Sequence, residues 1–139
     1  MAIIKTWSLP LFFSSLLLTV ALLSNQHAVQ FYNLMFSPLP VDPTWINSHS
    51  TLISNYGHLV GFALLAVLCR VSTKLHWLQI SASCFTLAAA IELAQLLTPQ
   101  RQGRLDDFCL GVVGVVLGLL CIKLLHFVNA KTKLAADKI

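Results

Sequence analysis

Charge is what this chain has least of. Its 139 residues include five acidic and nine basic side chains, and charged residues make up only 10% of the total. A soluble globular domain carries about 25%, so this composition cannot supply a water-facing shell. The four cysteines, Cys69, Cys84, Cys109 and Cys121, show no C-x-x-C spacing and no histidine close enough in sequence to complete a metal set. They read as small buried hydrophobes. There is no P-loop, no nucleophile elbow and no H-E-x-x-H, so no reaction class follows from a motif. No metal or cofactor is expected. Repeats and low-complexity tracts are missing too, and no length is left over for a separate soluble domain, so residues 1–139 read as a single unit.

What is there is apolar: 57% of the residues are hydrophobic and the mean hydropathy is +0.79. A membrane-crossing helix needs about 20 mostly apolar residues. Four segments qualify, roughly Ser8–Ser24, Leu52–Arg70, Trp77–Leu97 and Asp107–Val128. The fold class expected is therefore an all-α membrane protein with four transmembrane helices, and membrane lipids are its first partner. Pro10 falls in the first turn of the first segment, where proline is tolerated. Lys5 ahead of an apolar core also suits a signal peptide, but Leu23–Ala28 offers no A-x-A-like cleavage site. Retention as a membrane helix is expected.

Lys5, Arg70 and Lys74, and the C-terminal Lys131, Lys133 and Lys138 flank the segments on one side, whereas the connection 25–51 holds no Lys or Arg. The positive-inside bias then puts both termini in the cytoplasm and the long first loop outside, in a multi-pass inner-membrane protein. That loop carries Phe31, Leu34 and Met35 at helical spacing, then Pro38, Pro40 and Pro43. It reads as an interfacial half-helix followed by an extended stretch. The net charge of +4 comes without interleaved basic and aromatic residues. That argues against nucleic acid and for a basic tail lying on anionic lipid.

The exception to the apolar rule is the stretch from Ile91 to Asp107. It holds Glu92, Arg101, Arg104, Asp106 and Asp107, three of the five acids in the chain. An ionisable group inside a membrane segment costs roughly 2.5–3.5 kcal/mol on insertion scales, which makes it a functional candidate. Arg101 and Arg104 also break the positive-inside pattern. With the topology above, His58 and Glu92 each lie on the order of 8–9 Å below the outer helix ends. His58, Glu92, Gln95, Arg101, Arg104, Asp106 and Asp107 would then line one outward polar pocket. His58, Glu92 and Asp107 are the candidate proton-transfer groups, and Gln95, Arg101 and Arg104 the candidate ligand contacts. The other reading of Glu92 is an ion pair with Arg101 or Arg104 that fixes the loop. Asp106 is the expected cap of the last helix. Gly57 and Gly61 on one helix, and Gly111, Gly114 and Gly118 on another, are expected to pack those two helices on their glycine faces.

These positions resemble the VanZ-like family, named for a teicoplanin-resistance accessory protein. Its pattern is a histidine near the start of one membrane helix, E-x-x-Q at the end of the next, then R-x(5)-D, often followed by N-x-x-G. Here those places are held by His58, by Glu92 and Gln95, by Arg101 and Asp107, and by Gly111 and Gly114, so the likeness spans roughly residues 52–120. Where the family often has Asp-Lys shortly before the histidine, this chain has Ser54-Asn55; the frequent tyrosine four residues after it is Phe62. The resemblance implies a cell-envelope role, with lowered glycopeptide susceptibility in some members, and no settled reaction.

Two functions compete. In one, the pocket binds or acts on an anionic cell-envelope molecule, such as a lipid-linked or phosphate-bearing intermediate. In the other, the polar groups lock the helices together, and the protein is a structural or assembly partner of an envelope or surface-polysaccharide system.

Overall fold

The computed structural model describes residues 2–98 and 103–136, with the side chains of 7–24, 26–98 and 103–132. Every element among them is a helix: α1 (Ala2–Ala21), α2 (Asn25–Phe36), α3 (Pro43–Ser48), α4 (Ser50–Ser72), α5 (Trp77–Leu96) and α6 (Leu105–Ala136). Three have the length and hydropathy to cross a bilayer, namely α4, α5 and the Leu105–Thr132 part of α6, with 23, 20 and 28 residues. At 1.5 Å per residue these run about 35, 30 and 42 Å.

α1 is itself 20 residues long, and its apolar part Trp7–Ala21 falls on the expected first segment. It ends before Ser24, which leaves helical geometry and whose side chain accepts the His27 N–H to start α2. Pro10 is also well inside α1 rather than in its first turn. The hydroxyls of Ser14, Ser15 and Thr19 each donate to the carbonyl four residues back, at 2.8–2.9 Å. A helix facing lipid has to satisfy its polar groups internally in this way.

The first loop is more helical than expected. The half-helix is α2, but the stretch after it contains α3, which Asp42 caps by accepting the Thr44 N–H at 2.8 Å, with Pro43 at the first helical position. The carboxyl of exposed Asp42 is held below the ordinary carboxylate range by that bond. Between α4 and α5, Arg70 lies over the Trp77 ring at 5.0 Å, and His76 caps α5 in exchange with Gln79.

Phe62, Leu65 and Cys69 of α4, Ile80, Cys84, Ala88 and Ile91 of α5, and Val115 and Leu119 of α6 form the buried core, with Phe13 and Leu17 of α1 packed against it. Outward, the same helices show bare apolar side chains such as Val71, Leu78, Leu93, Leu124 and Phe127. In water such a surface would aggregate; against acyl chains it is solvated.

α4 and α6 approach at backbone distance. A Cβ on Gly114 would lie 2.2 Å from the Leu59 carbonyl oxygen, and one on Gly118 would lie 2.3 Å from that of Ala63. Gly111 faces the Phe62 ring. The partners on α4 are not its glycines, as expected, but Leu59 and Ala63. Gly57 and Gly61 stand two residues away, about 200° round the helix. Gly61 meets the Leu17 side chain of α1, and a Cβ on Gly57 would have no heavy atom within 4 Å.

Candidate functional site

The buried stripe of each spanning helix turns polar at one end, and the three polar ends coincide. On α4 the stripe Phe62, Leu65, Cys69 continues back through His58 and Asn55 at steps of four and three. On α5 it runs through Ala88 and Ile91 into Glu92 and Gln95, and on α6 it begins at Asp107. One donor atom each of His58, Glu92 and Asp107 lies within 4.8 Å of the others. Measured along the helices, His58 is about 12 Å from the start of α4 and Glu92 about 6 Å from the end of α5. α4 therefore extends further past the cluster than the sequence pattern suggested, because it begins at Ser50.

His58 Nε2 stands 4.0 Å from Asp107 Oδ2, with the two side chains 9% and 8% exposed. The imidazole stacks against Phe62, with ring centres 6.5 Å apart. With its amide nitrogen turned to the acceptors, Asn55 donates to the Thr51 carbonyl at 3.0 Å and to Asp107 Oδ1 at 3.1 Å. Sequence reasoning passed over Asn55. The signal was its spacing three before His58, which puts both on one face.

The connection into α6 folds back on the cluster. The Arg104 N–H donates to Glu92 Oε2 at 2.8 Å. Gly103 permits this approach, since a Cβ there would lie 2.6 Å from the Glu92 carbonyl oxygen. The Arg104 carbonyl accepts from the Asp107 and Phe108 N–H groups at 3.1 and 3.3 Å, which opens α6. The capping position is thus Arg104, not Asp106. Asp106 is one residue inside the first turn, exposed, and pairs with the Arg104 guanidinium at 3.1 Å. A carboxylate there still meets the positive end of the helix.

Gln95 is 2% exposed and donates to the Ala21 carbonyl at 2.9 Å. That carbonyl is one of the groups a helix end leaves without an intrahelical partner, so Gln95 closes the C-terminus of α1 across to α5. Arg101 lies outside the described residues. Of the expected set, the fold brings His58, Glu92 and Asp107 together with the Arg104 backbone. It directs the side chain of Arg104 to Asp106 and that of Gln95 to α1.

Beside the cluster, α1, α2, α3 and α4 line a half-open cavity of about 770 Å³. Leu17, Phe31, Met35, Val60 and Phe62 line it, Gly57 opens onto it, and His58 stands in its wall. The sequence pattern suggested a polar pocket; this cavity is apolar and reaches the polar cluster through His58. One imidazole and two carboxylates can pass a proton among themselves or hold a cation.

No curated protein and no solved structure matches this chain. A family model does, that of VanZ/LLP1, over residues 3–126, which takes in α1 to α5 and most of α6. With that match over most of its length and three helices able to span a bilayer, the chain belongs to the VanZ/LLP1 family and is a multi-pass membrane protein.

Proposed function

We propose that this protein sits in the inner membrane with both termini in the cytoplasm, and that it binds or acts on an anionic, lipid-linked cell-envelope molecule at an outward-facing site. The observation that carries this reading is the apolar cavity of about 770 Å³ with His58 in its wall. A ligand with a long hydrocarbon part and a charged head suits such a junction. Its tail would occupy the space between α1, α2 and α4, and its head would stand at the polar junction beside His58. Positive charge there would have to come from Arg101 and from Arg104 once it leaves Asp106, since Glu92 and Asp107 repel an anion. If turnover follows with no ion bound, His58 takes up a proton, with Asp107 at 4.0 Å to stabilise the imidazolium. An effect on glycopeptide susceptibility would follow from withdrawing or altering such an intermediate.

Blocking the cavity tests this. A Cβ added to Gly57 would have nothing within 4 Å, and Gly57 lines the cavity, so Gly57→Phe sets a ring into the cavity beside His58 from an uncrowded position. Native mass spectrometry should find lipid-linked anions retained by the parent protein and lost from the variant. Glu92→Gln and Arg101→Gln should keep normal membrane abundance and fail to restore a deletion strain's response to envelope-directed drugs. Retention of the same lipid by Gly57→Phe sinks the reading. Abundance falling in step with activity would point instead to the helix lock, a reading that draws on the bonds tying Asn55 to Asp107 and Arg104 to Glu92.

A further inference from the structure

We propose that His58, Glu92 and Asp107 bind one divalent transition-metal ion of the zinc class, with a coordination position left open toward the apolar cavity. This rests on reading the cluster as a working site rather than as a helix lock.

The donor set comes first. Each of three helices contributes one ligand-type atom, and all three atoms lie within 4.8 Å of one another. His58 Nε2 and Asp107 Oδ2, at 4.0 Å, are too far apart for a hydrogen bond. Zinc takes imidazole nitrogen and carboxylate oxygen at about 2.0–2.2 Å, so two tetrahedral ligands of one ion stand roughly 3.4 Å apart. Closing the His58–Asp107 gap needs a relative shift of about half an ångström, and a pair at the full 4.8 Å needs about 1.4 Å, both within reach of side-chain torsions.

The carboxylates are also oriented from behind. Asn55 holds Asp107 Oδ1 at 3.1 Å, so that Oδ2 faces His58. The Arg104 N–H holds Glu92 Oε2 at 2.8 Å. Metal-binding carboxylates are themselves fixed by hydrogen bonds in this manner. An imidazole among oxygens selects zinc, iron or manganese over calcium and magnesium, which prefer oxygen alone. A divalent ion among them would be balanced by the two carboxylates.

The cavity distinguishes this from a structural ion. Three protein ligands leave a tetrahedral position vacant, the arrangement of ions that meet a ligand. His58 belongs both to the donor set and to the cavity wall. A phosphate oxygen carried on a lipid chain would reach the open position from that side.

The test uses the full chain, purified from membranes in detergent, stripped with chelator and titrated with zinc, manganese and magnesium chlorides. Calorimetry and elemental analysis should give one zinc per chain, with magnesium bound at least about 100-fold more weakly. Asp107→Asn and His58→Gln should abolish stoichiometric zinc while keeping parental helicity by circular dichroism. Asn55→Ala, which leaves all three donors, should weaken zinc about 10–100-fold. A folded parent chain that takes up no zinc overturns the proposal. So does zinc that binds Asp107→Asn as well as it binds the parent. Lipid retention is scored on the same samples. Retention without zinc removes the metal and leaves the proposed function standing; zinc without retention does the reverse.

Discussion

Adding a single methyl group at Gly114 should separate the two helices that carry His58 and Asp107. A Cβ there would lie 2.2 Å from the Leu59 carbonyl oxygen and 3.2 Å from the Ala63 nitrogen. An ordinary carbon-to-carbonyl approach is about 3.3 Å, so Gly114→Ala requires α4 and α6 to part by about 1 Å. Both obstructing atoms are backbone, and neither can rotate away. Overpacking of this kind costs about 1–3 kcal/mol. Alanine returns up to about 1 kcal/mol through helix propensity. A net loss of about 1–2 kcal/mol is expected, read as a lower midpoint in detergent-solubilised thermal or denaturant unfolding. Gly57→Ala is the matched control: it has the same propensity gain and no atom within 4 Å of the added methyl, so its stability should be unchanged or slightly raised. The separation also lengthens the bond from Asn55 to Asp107, now 3.1 Å, so Gly114→Ala should weaken ligand binding as well. Equal stability of Gly114→Ala and parent, or equal losses in the two variants, would refute the close-packing argument.

Gln95→Leu keeps the side-chain volume but strands the Ala21 carbonyl, which the amide meets at 2.9 Å. An unsatisfied buried acceptor costs about 1–3 kcal/mol, so unfolding by circular dichroism should begin earlier, and unchanged stability would remove Gln95 from the α1 junction. Asp42 gives a pH prediction. Its carboxyl is depressed from 3.8 by the Thr44 N–H, so its contribution to α3 is complete above the unfolded value and is lost as pH falls through the lower folded one. Amide exchange at Thr44 should accelerate below about pH 4. In Asp42→Asn, which keeps an acceptor without the titration, that acid step should disappear.

The three spanning helices were legible because length and hydropathy alone decide them. The meeting of His58, Glu92 and Asp107 was legible because alternating topology fixes which helix ends share a side of the membrane. Other features were hidden for definite reasons. The short α3 lies where prolines suggest extended chain, although Asp42-Pro43 is also a cap followed by a first-turn proline. The glycine stripe of α6 was visible, but not its partners, since Leu59 is large and meets Gly114 through its backbone carbonyl, and Ala63 is small but was overshadowed by the glycines two residues away. Asp106 looked like the cap because capping is a preference of side chains, and here the Arg104 carbonyl opens the helix. The cavity left no trace in sequence, because it depends on how α1 and α2 lean on α4.

The order of dependence among these contacts bears on what the cluster is for. α4 and α6 are set against each other by Gly114 on Leu59 and Gly118 on Ala63, contacts between backbones with little play. Asp107 is seven residues before Gly114, about two turns, and His58 is adjacent to Leu59, so both are carried to the site on rigid helix already docked elsewhere. His58 Nε2 and Asp107 Oδ2 then stand 4.0 Å apart, while the bonds that reach the two carboxylates come from the flanks, Asn55 to Asp107 at 3.1 Å and the Arg104 N–H to Glu92 at 2.8 Å. Packing and flanking bonds thus place the cluster, so Gly114→Ala or Asn55→Ala should displace it without altering any of its three members.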